Sequence, residues 1–432
     1  MSKTVLEKAN GFLGVPLMQY GVSILKIISL VVLSRSLSAD GYGDFSYLTT
    51  VVTMLLTLTY AGGQTITLRL FSNSNYNHDQ VYTYSVRAGL YASIVAILVF
   101  PIFIYFSNTG LPNLNIWILL VSALLLAPTK IISLVHNAFN KQRGNFVKVK
   151  FSEFASTLVF IVLVIIFRLF NILTIESTIL LFIIQSITLL LLVMNKYKKD
   201  EVSKDLRTKF RKDFAKLYPS GLFAYVVSSS DIIMLGLLST NVNVGYYAVA
   251  VRIYSMMTMF PASINMFFSS RIGNNEFFEN GEFAKYSRIT MSFCVLSAVM
   301  VFFISEYIII LLSGVEFFKS VLILKILAGA FIFRSASYIF AAKWIHLEKY
   351  SFLSTVSSIN GISNIILNLI FIPKFGAVAA AWTSLFSYSI GFTINIYLLI
   401  KLKPNSAHIT DYFLIKNSDI VLLYNKYVKP RL

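Results

Sequence analysis

Long apolar runs separated by short polar ones make up nearly the whole chain. A helix needs ~20 largely apolar residues to cross ~30 Å of hydrocarbon, and by that measure the pattern predicts about twelve spans. They fall near 11–34, 44–69, 84–107, 114–138, 146–169, 174–194, 217–239, 244–270, 285–312, 320–344, 350–372 and 377–400. None shows the apolar/polar alternation of a barrel strand, so each is expected to be helical. One polar stretch stands apart. Asn195–Lys216 carries nine basic and four acidic residues between two apolar halves of similar length. The expected organisation is an N-terminal six-helix half (1–195), a basic linker (196–216), a C-terminal six-helix half (217–403) and a basic tail (404–432).

Charge in the loops predicts orientation. Lys3 and Lys8 precede the first span, and Lys141, Arg143, Lys148 and Lys150 surround the loop after the fourth. The basic linker follows the sixth, Lys343 and Lys349 flank the loop after the tenth, and Lys401 and Lys403 follow the twelfth. The loops on the other side (39–43, 106–113, 240–244) hold almost no Lys or Arg. Clustered basic residues mark the cytoplasmic face, so both termini and the linker are expected in the cytoplasm. The N-terminal apolar run has no small-residue cleavage site after it and reads as the first span rather than a signal peptide.

The two halves echo one another. Pro16 pairs with Pro219, the junction Leu37–Gly43 with Leu238–Gly245, and Asn140–Phe146 with His346–Phe352, all at offsets of 201 to 206 residues. Six spans per half make such repeats parallel. The expected fold is therefore an all-α polytopic membrane protein, with two six-helix bundles related by a pseudo-two-fold axis along the membrane normal.

Composition agrees with lipid as the solvent. Of 432 residues, 56% are hydrophobic and 13% charged, whereas soluble domains carry about 25% charged residues. The net charge of +18 resides mostly in short loops rather than on a soluble domain, so no nucleic-acid partner is expected. Cys294 is the only cysteine, which excludes a disulfide framework and a thiolate metal cluster. No Gly-rich nucleotide loop is present, no cofactor is expected, and no outer loop is long enough for the catalytic domain of an enzyme.

Specific motifs appear at three places. Asn364, Leu367, Asn368, Ile372, Pro373, Gly376 and Ala379–Ala381 form the pattern N-x-x-L-N-x-x-x-I-P-x-x-G-x-x-A-A-A. Arg35, Leu37, Tyr42, Gly43 and Phe45 lie between spans one and two, and Val244, Gly245, Tyr247 and Ala250 open span eight. These stretches resemble the polysaccharide exporters of the multidrug/oligosaccharidyl-lipid/polysaccharide superfamily, and the match is best to the Wzx-type O-antigen or capsule flippase branch. The resemblance implies transport, from the inner to the outer leaflet, of oligosaccharide repeat units linked to a polyprenyl diphosphate. It also implies a bacterial inner (plasma) membrane, membrane lipids as surroundings, and a glycan polymerase and chain-length regulator as partners. Two alternatives remain at this point. One is a multidrug/cation antiporter of the same superfamily, which would want an acid-rich cavity, and the other a membrane glycan polymerase or glycosyltransferase.

Ionisable residues within spans are costly and mark functional positions by default. Lys26, Arg69, Lys130, Asp231, Arg252, Lys325 and Arg334 are singled out within the expected spans, and these seven comprise six cations and one anion. A cavity short of anions attracts one, and a diphosphate head supplies it. Lys26, Arg69, Lys130, Arg252 and Arg334 are the candidate substrate-binding cations, and Asp231 the candidate for coupling to a proton or ion gradient. Snorkelling toward an interface is the alternative for Arg69 or Lys325. Ser357, Asn360, Asn364 and Asn368 recur at helical spacing on the eleventh span and predict hydrogen bonding between helices. His136 and His346 close cytoplasmic span ends and are expected at the interface.

Overall fold

The computed structural model describes residues 14–61, 63–71, 76–106, 116–143, 145–197, 200–269, 275–279, 281–347, 349–402 and Phe413. Thirteen α-helices and a single 3₁₀ turn account for the regular structure among these residues, which include no strand. They are α1 (Gly14–Ser36), α2 (Ala39–Tyr60), α3 (Gly63–Phe71), α4 (His78–Phe106), α5 (Ile116–Gln142), α6 (Phe146–Leu169) and α7 (Ile175–Val193). Then follow α8 (Lys204–Leu238), α9 (Asn241–Ser269), α10 (Asn275–Glu279), α11 (Glu282–Ser313), α12 (Ser320–His346) and α13 (Tyr350–Lys401).

A helix lies on each of the twelve expected spans. Seven of the described segments are long and apolar enough to cross a membrane by length and composition alone. Two departures have local causes. The second expected span is interrupted, because α2 ends at Tyr60 and α3 starts afresh at Gly63. In α13, the 52-residue helix contains Gly376 at φ 57°, ψ −135°, a conformation that only glycine adopts at low cost. Three residues before it Pro373 lacks the amide proton that would continue the ladder. The two arms fold back as a hairpin: a Cβ on Gly391 would lie 2.2 Å from the Asn360 side chain, and Thr383 donates to Asn368. One long helix thus supplies spans eleven and twelve, and the Ile-Pro-x-x-Gly motif is its turn.

The chain divides into two compact units, Met1–Ala248 with Leu312–Glu316, and Val249–Leu311 with Phe317–Leu432. In the first, α1 packs on α6, α5 on α4 and α7, and α2 on α4 and α8. In the second, α12 packs on both arms of α13, and Trp344 donates from its indole nitrogen to Asn395 Oδ1 at 2.7 Å. Around Trp344 an apolar cluster gathers Phe268, Phe277, Phe283, Phe340 and Leu399. Phe413 is the described residue of the basic tail, and its ring centroid lies 5.7 Å from that of Phe340.

Residues that are exposed in this fold are often large and apolar. On α4 they are Leu90, Tyr91, Ile94, Val95 and Leu98, and on α11 Leu296, Phe303, Tyr307 and Leu311. Such stripes suit contact with acyl chains rather than water. Serine and threonine hydroxyls within the helices donate back to carbonyls one turn earlier, as Thr67 does to Gly63 and Ser287 to Phe283. That is how polar side chains are satisfied without solvent.

From Lys204 the basic stretch is itself helix, the opening turns of α8, with Ser203 as its N-cap. Leu206 and Phe210 on one face, with Val202 before them, bury against Leu70, Phe71, Val81 and Phe139. Tyr82 and Tyr197 stack at 4.0 Å, and the Tyr76 hydroxyl donates to Asp205 at 2.7 Å. That bond raises the Tyr76 phenol above its ordinary pKa, and burial does the same for Tyr197. Both phenols therefore remain neutral across physiological pH. His136 is fully buried beneath this cap, 5.3 Å from the Tyr82 ring, and accepts from the Asn195 amide.

Candidate functional site

Lys130 stands in the fourth span on α5, two residues after Pro128. Its ammonium lies 4.4 Å from the centroid of the Phe182 ring on α7, and the charge of Lys26 on α1 bears on it. No carboxylate among the described residues pairs with Lys130. Its stabilisation comes from the ring quadrupole, which attracts a desolvated cation by ~2 kcal/mol or less. Lys26 itself is exposed on α1, one turn from buried Ser23.

Arg334 repeats the arrangement in the second unit. It lies on α12, 204 residues after Lys130 and so within the offset of the duplication. Its guanidinium sits 5.4 Å from the Tyr338 ring and 5.3 Å from the Tyr388 ring, and Tyr254 is also nearby. Here too no carboxylate among the described residues pairs with the cation. Each unit therefore holds a repeat-equivalent base resting on aromatic rings. Such a group retains most of its capacity for an anion, because no acid has to be displaced first.

The remaining candidates are less assembled. Lys325 lies 5.5 Å from the Phe302 ring, and Arg252 is exposed on α9. Arg69 lies on α3, and its side chain is not among those described. Asp231 near the end of α8 is half-buried, and the Tyr247 hydroxyl donates to its Oδ2 at 2.5 Å. The eleventh-span asparagines form a ladder: Asn368 donates to Asn364 Oδ1 at 3.1 Å and accepts from Thr383 on the other arm of α13. They hold the hairpin together.

Sequence reasoning missed the aromatic partners and a second basic grouping in the first unit. Arg87 on α4 and Arg207 and Arg211 on α8 line a cavity of about 550 Å³ with Tyr60 and Tyr91. The available signal was the alternation of Arg207 and Arg211 with Phe210 and Phe214, both pairs at i, i+4.

Helices of this length and apolar character define a polytopic, all-helical membrane protein among the described residues. Residues 9–272, more than half of the chain, match the family described as polysaccharide biosynthesis protein, and the chain belongs to that family. No curated protein matches it. Among solved structures, a lipid II flippase, MurJ, in an inward closed conformation is similar at a TM-score of 0.75 and 17% identity, covering 96% of this chain and 92% of that one. An inward-facing multidrug resistance MATE family transporter of the MOP superfamily follows at 0.70 and 12%, covering 89% and 96%. A MOP superfamily transporter from Pyrococcus furiosus, described as having a binding pocket of reversed polarity, gives 0.62 and 13%, covering 92% and 96%. The fold is that of MOP transporters.

Proposed function

We propose that this protein moves polyprenyl-diphosphate-linked oligosaccharide repeat units, of an O-antigen or capsular glycan, from the inner to the outer leaflet of a bacterial plasma membrane by alternating access. The observation that carries the reading is the pair of repeat-equivalent cations, Lys130 and Arg334, each on aromatic rings in its own unit with no carboxylate partner among the described residues. A diphosphate is the anion that a lipid-linked sugar brings into such surroundings. The planar fork of Arg334 suits two phosphate oxygens at once, and the compact ammonium of Lys130 suits one. Lys26, Arg69 and Arg252 are the further cations we assign to substrate binding. Membership of a polysaccharide biosynthesis family and the shared fold of a lipid II flippase support this substrate class.

Transport of a labelled polyprenyl-diphosphate sugar in proteoliposomes tests the reading. One charge-assisted contact is worth ~1.5–3 kcal/mol, so Lys130→Ala and Arg334→Ala should each slow flipping by roughly 10- to 100-fold. Arg334→Lys should retain part of the rate. Wild-type rates in both alanine variants would overturn the site. Efflux of cationic dyes in place of lipid flipping would instead support the multidrug antiporter that the MATE-like fold admits.

A further inference from the structure

The 550 Å³ cavity of the first unit lies where the end of α2, the first half of α4 and the opening turns of α8 meet. Arg87, Tyr91 and Val95 recur at i, i+4, i+8 and share one face of α4. Arg207 and Arg211 share a face of α8, whose neighbouring Phe210 turns inward and is buried. No carboxylate among the described residues lines the cavity. Three acids of this region are engaged elsewhere: Asp205 accepts from Tyr76, Asp213 pairs with Lys209 at 3.9 Å, and Asp200 accepts from Asn77. None of the three guanidinium groups has an ion-pair partner among the described residues.

Basic side chains near a membrane surface ordinarily splay toward separate headgroups. Here three converge on one aromatic-walled cavity of the size that holds a small ligand. The cavity also continues along α4 into the apolar stripe of Leu90, Tyr91, Ile94, Val95 and Leu98, which is exposed within a helix apolar enough to span. Its shape is therefore that of a lipid with a strongly anionic head: arginines for the head, a hydrocarbon-facing helix for the chain.

We propose that this groove is the docking site at which a polyprenyl-diphosphate substrate is captured from the leaflet on the linker side, before it is transported. The inference rests on the lipid-linked reading of the function and adds a capture site separate from Lys130 and Arg334. Charge complementarity selects the occupant. A bulk anionic phospholipid brings one phosphodiester charge, whereas a diphosphate brings two adjacent groups that three bidentate arginines can grip together.

Binding to the purified full-length protein, embedded in phosphatidylcholine nanodiscs and titrated with a fluorescent polyprenyl diphosphate, tests the site. The triple variant R87Q/R207Q/R211Q should bind about tenfold or more weakly. Phosphatidylglycerol and inorganic pyrophosphate should displace the probe only at large excess. Wild-type affinity in the triple variant overturns the proposal. Displacement by phosphatidylglycerol at parity would make the groove a bulk-lipid site, and tight binding of pyrophosphate alone a free phosphate site; either outcome overturns it as well. If the triple variant fails to give a monodisperse helical protein, Arg87→Gln alone decides, with about threefold weaker binding expected and unchanged binding overturning the site. The binding assay reads α4 and α8 and the transport assay reads Lys130 and Arg334, so the capture site can fail while the transport reading stands, and the reverse.

Discussion

The Tyr247 hydroxyl, 2.5 Å from Asp231, turns a lone acid in a cation-rich chain into a hydrogen-bonded pair. In low dielectric an unpaired carboxylate is expensive, and a phenol donor offsets part of that cost. Asp231 is accordingly the group we propose for coupling to a gradient. Asp231→Asn keeps shape and hydrogen bonding but cannot titrate. It should bind lipid-linked substrate as wild type does and lose acceleration by an imposed pH gradient in vesicles. Unchanged pH-driven transport would leave Asp231 a structural residue. The Asp231 position was legible in the sequence as an intramembrane charge. Tyr247 was not, since sixteen residues and a reversal of direction separate the two.

Between elements, the opening turns of α2 and α9 cross at van der Waals distance. A Cβ on Gly43 would lie 1.9 Å from the Asn241 carbonyl oxygen, and one on Gly245 would lie 2.1 Å from the Ala39 carbonyl oxygen. The two contacts are equivalent under the duplication, because Asn241 and Gly245 each follow their counterparts Ala39 and Gly43 by 202 residues. Asn241 also donates to the buried carboxylate of Asp44, next to one of these glycines. This reciprocal crossing explains why the repeated junction motif carries glycine in both halves. Gly245→Ala should destabilise the protein by ~1–3 kcal/mol through forced separation of the helices. A drop in the thermal midpoint in detergent would show it, and an unchanged midpoint would mean that the crossing opens freely.

Across the whole molecule, we propose an orientation from the distribution of basic residues. Reporter fusions after Lys204 and Lys401 are expected to report the cytoplasm, and one after Asn241 the outer side. A cytoplasmic signal at Asn241 would break the six-plus-six arrangement. The groove of Arg87, Arg207 and Arg211 belongs to the same picture, because the helix that carries two of these arginines begins within the basic stretch. Packing of Leu206 and Phe210 onto α3, α4 and α5 makes that stretch part of the first unit rather than a free tether.

Sequence alone determined the class of fold and the inventory of charges. Apolar run length is a one-dimensional property set by bilayer thickness, and a base within such a run is costly whatever surrounds it. The Ile372–Gly376 motif likewise foretold its turn, because Pro373 and Gly376 act on their own backbone. Tertiary structure decided which charges have partners. Phe182 under Lys130, Tyr388 beside Arg334 and Tyr247 on Asp231 are contacts between separate helices or arms. It also decided that His136 is buried and that Arg87 joins two arginines more than a hundred residues away. Helical periodicity places a side chain on a face, but only packing chooses what that face meets.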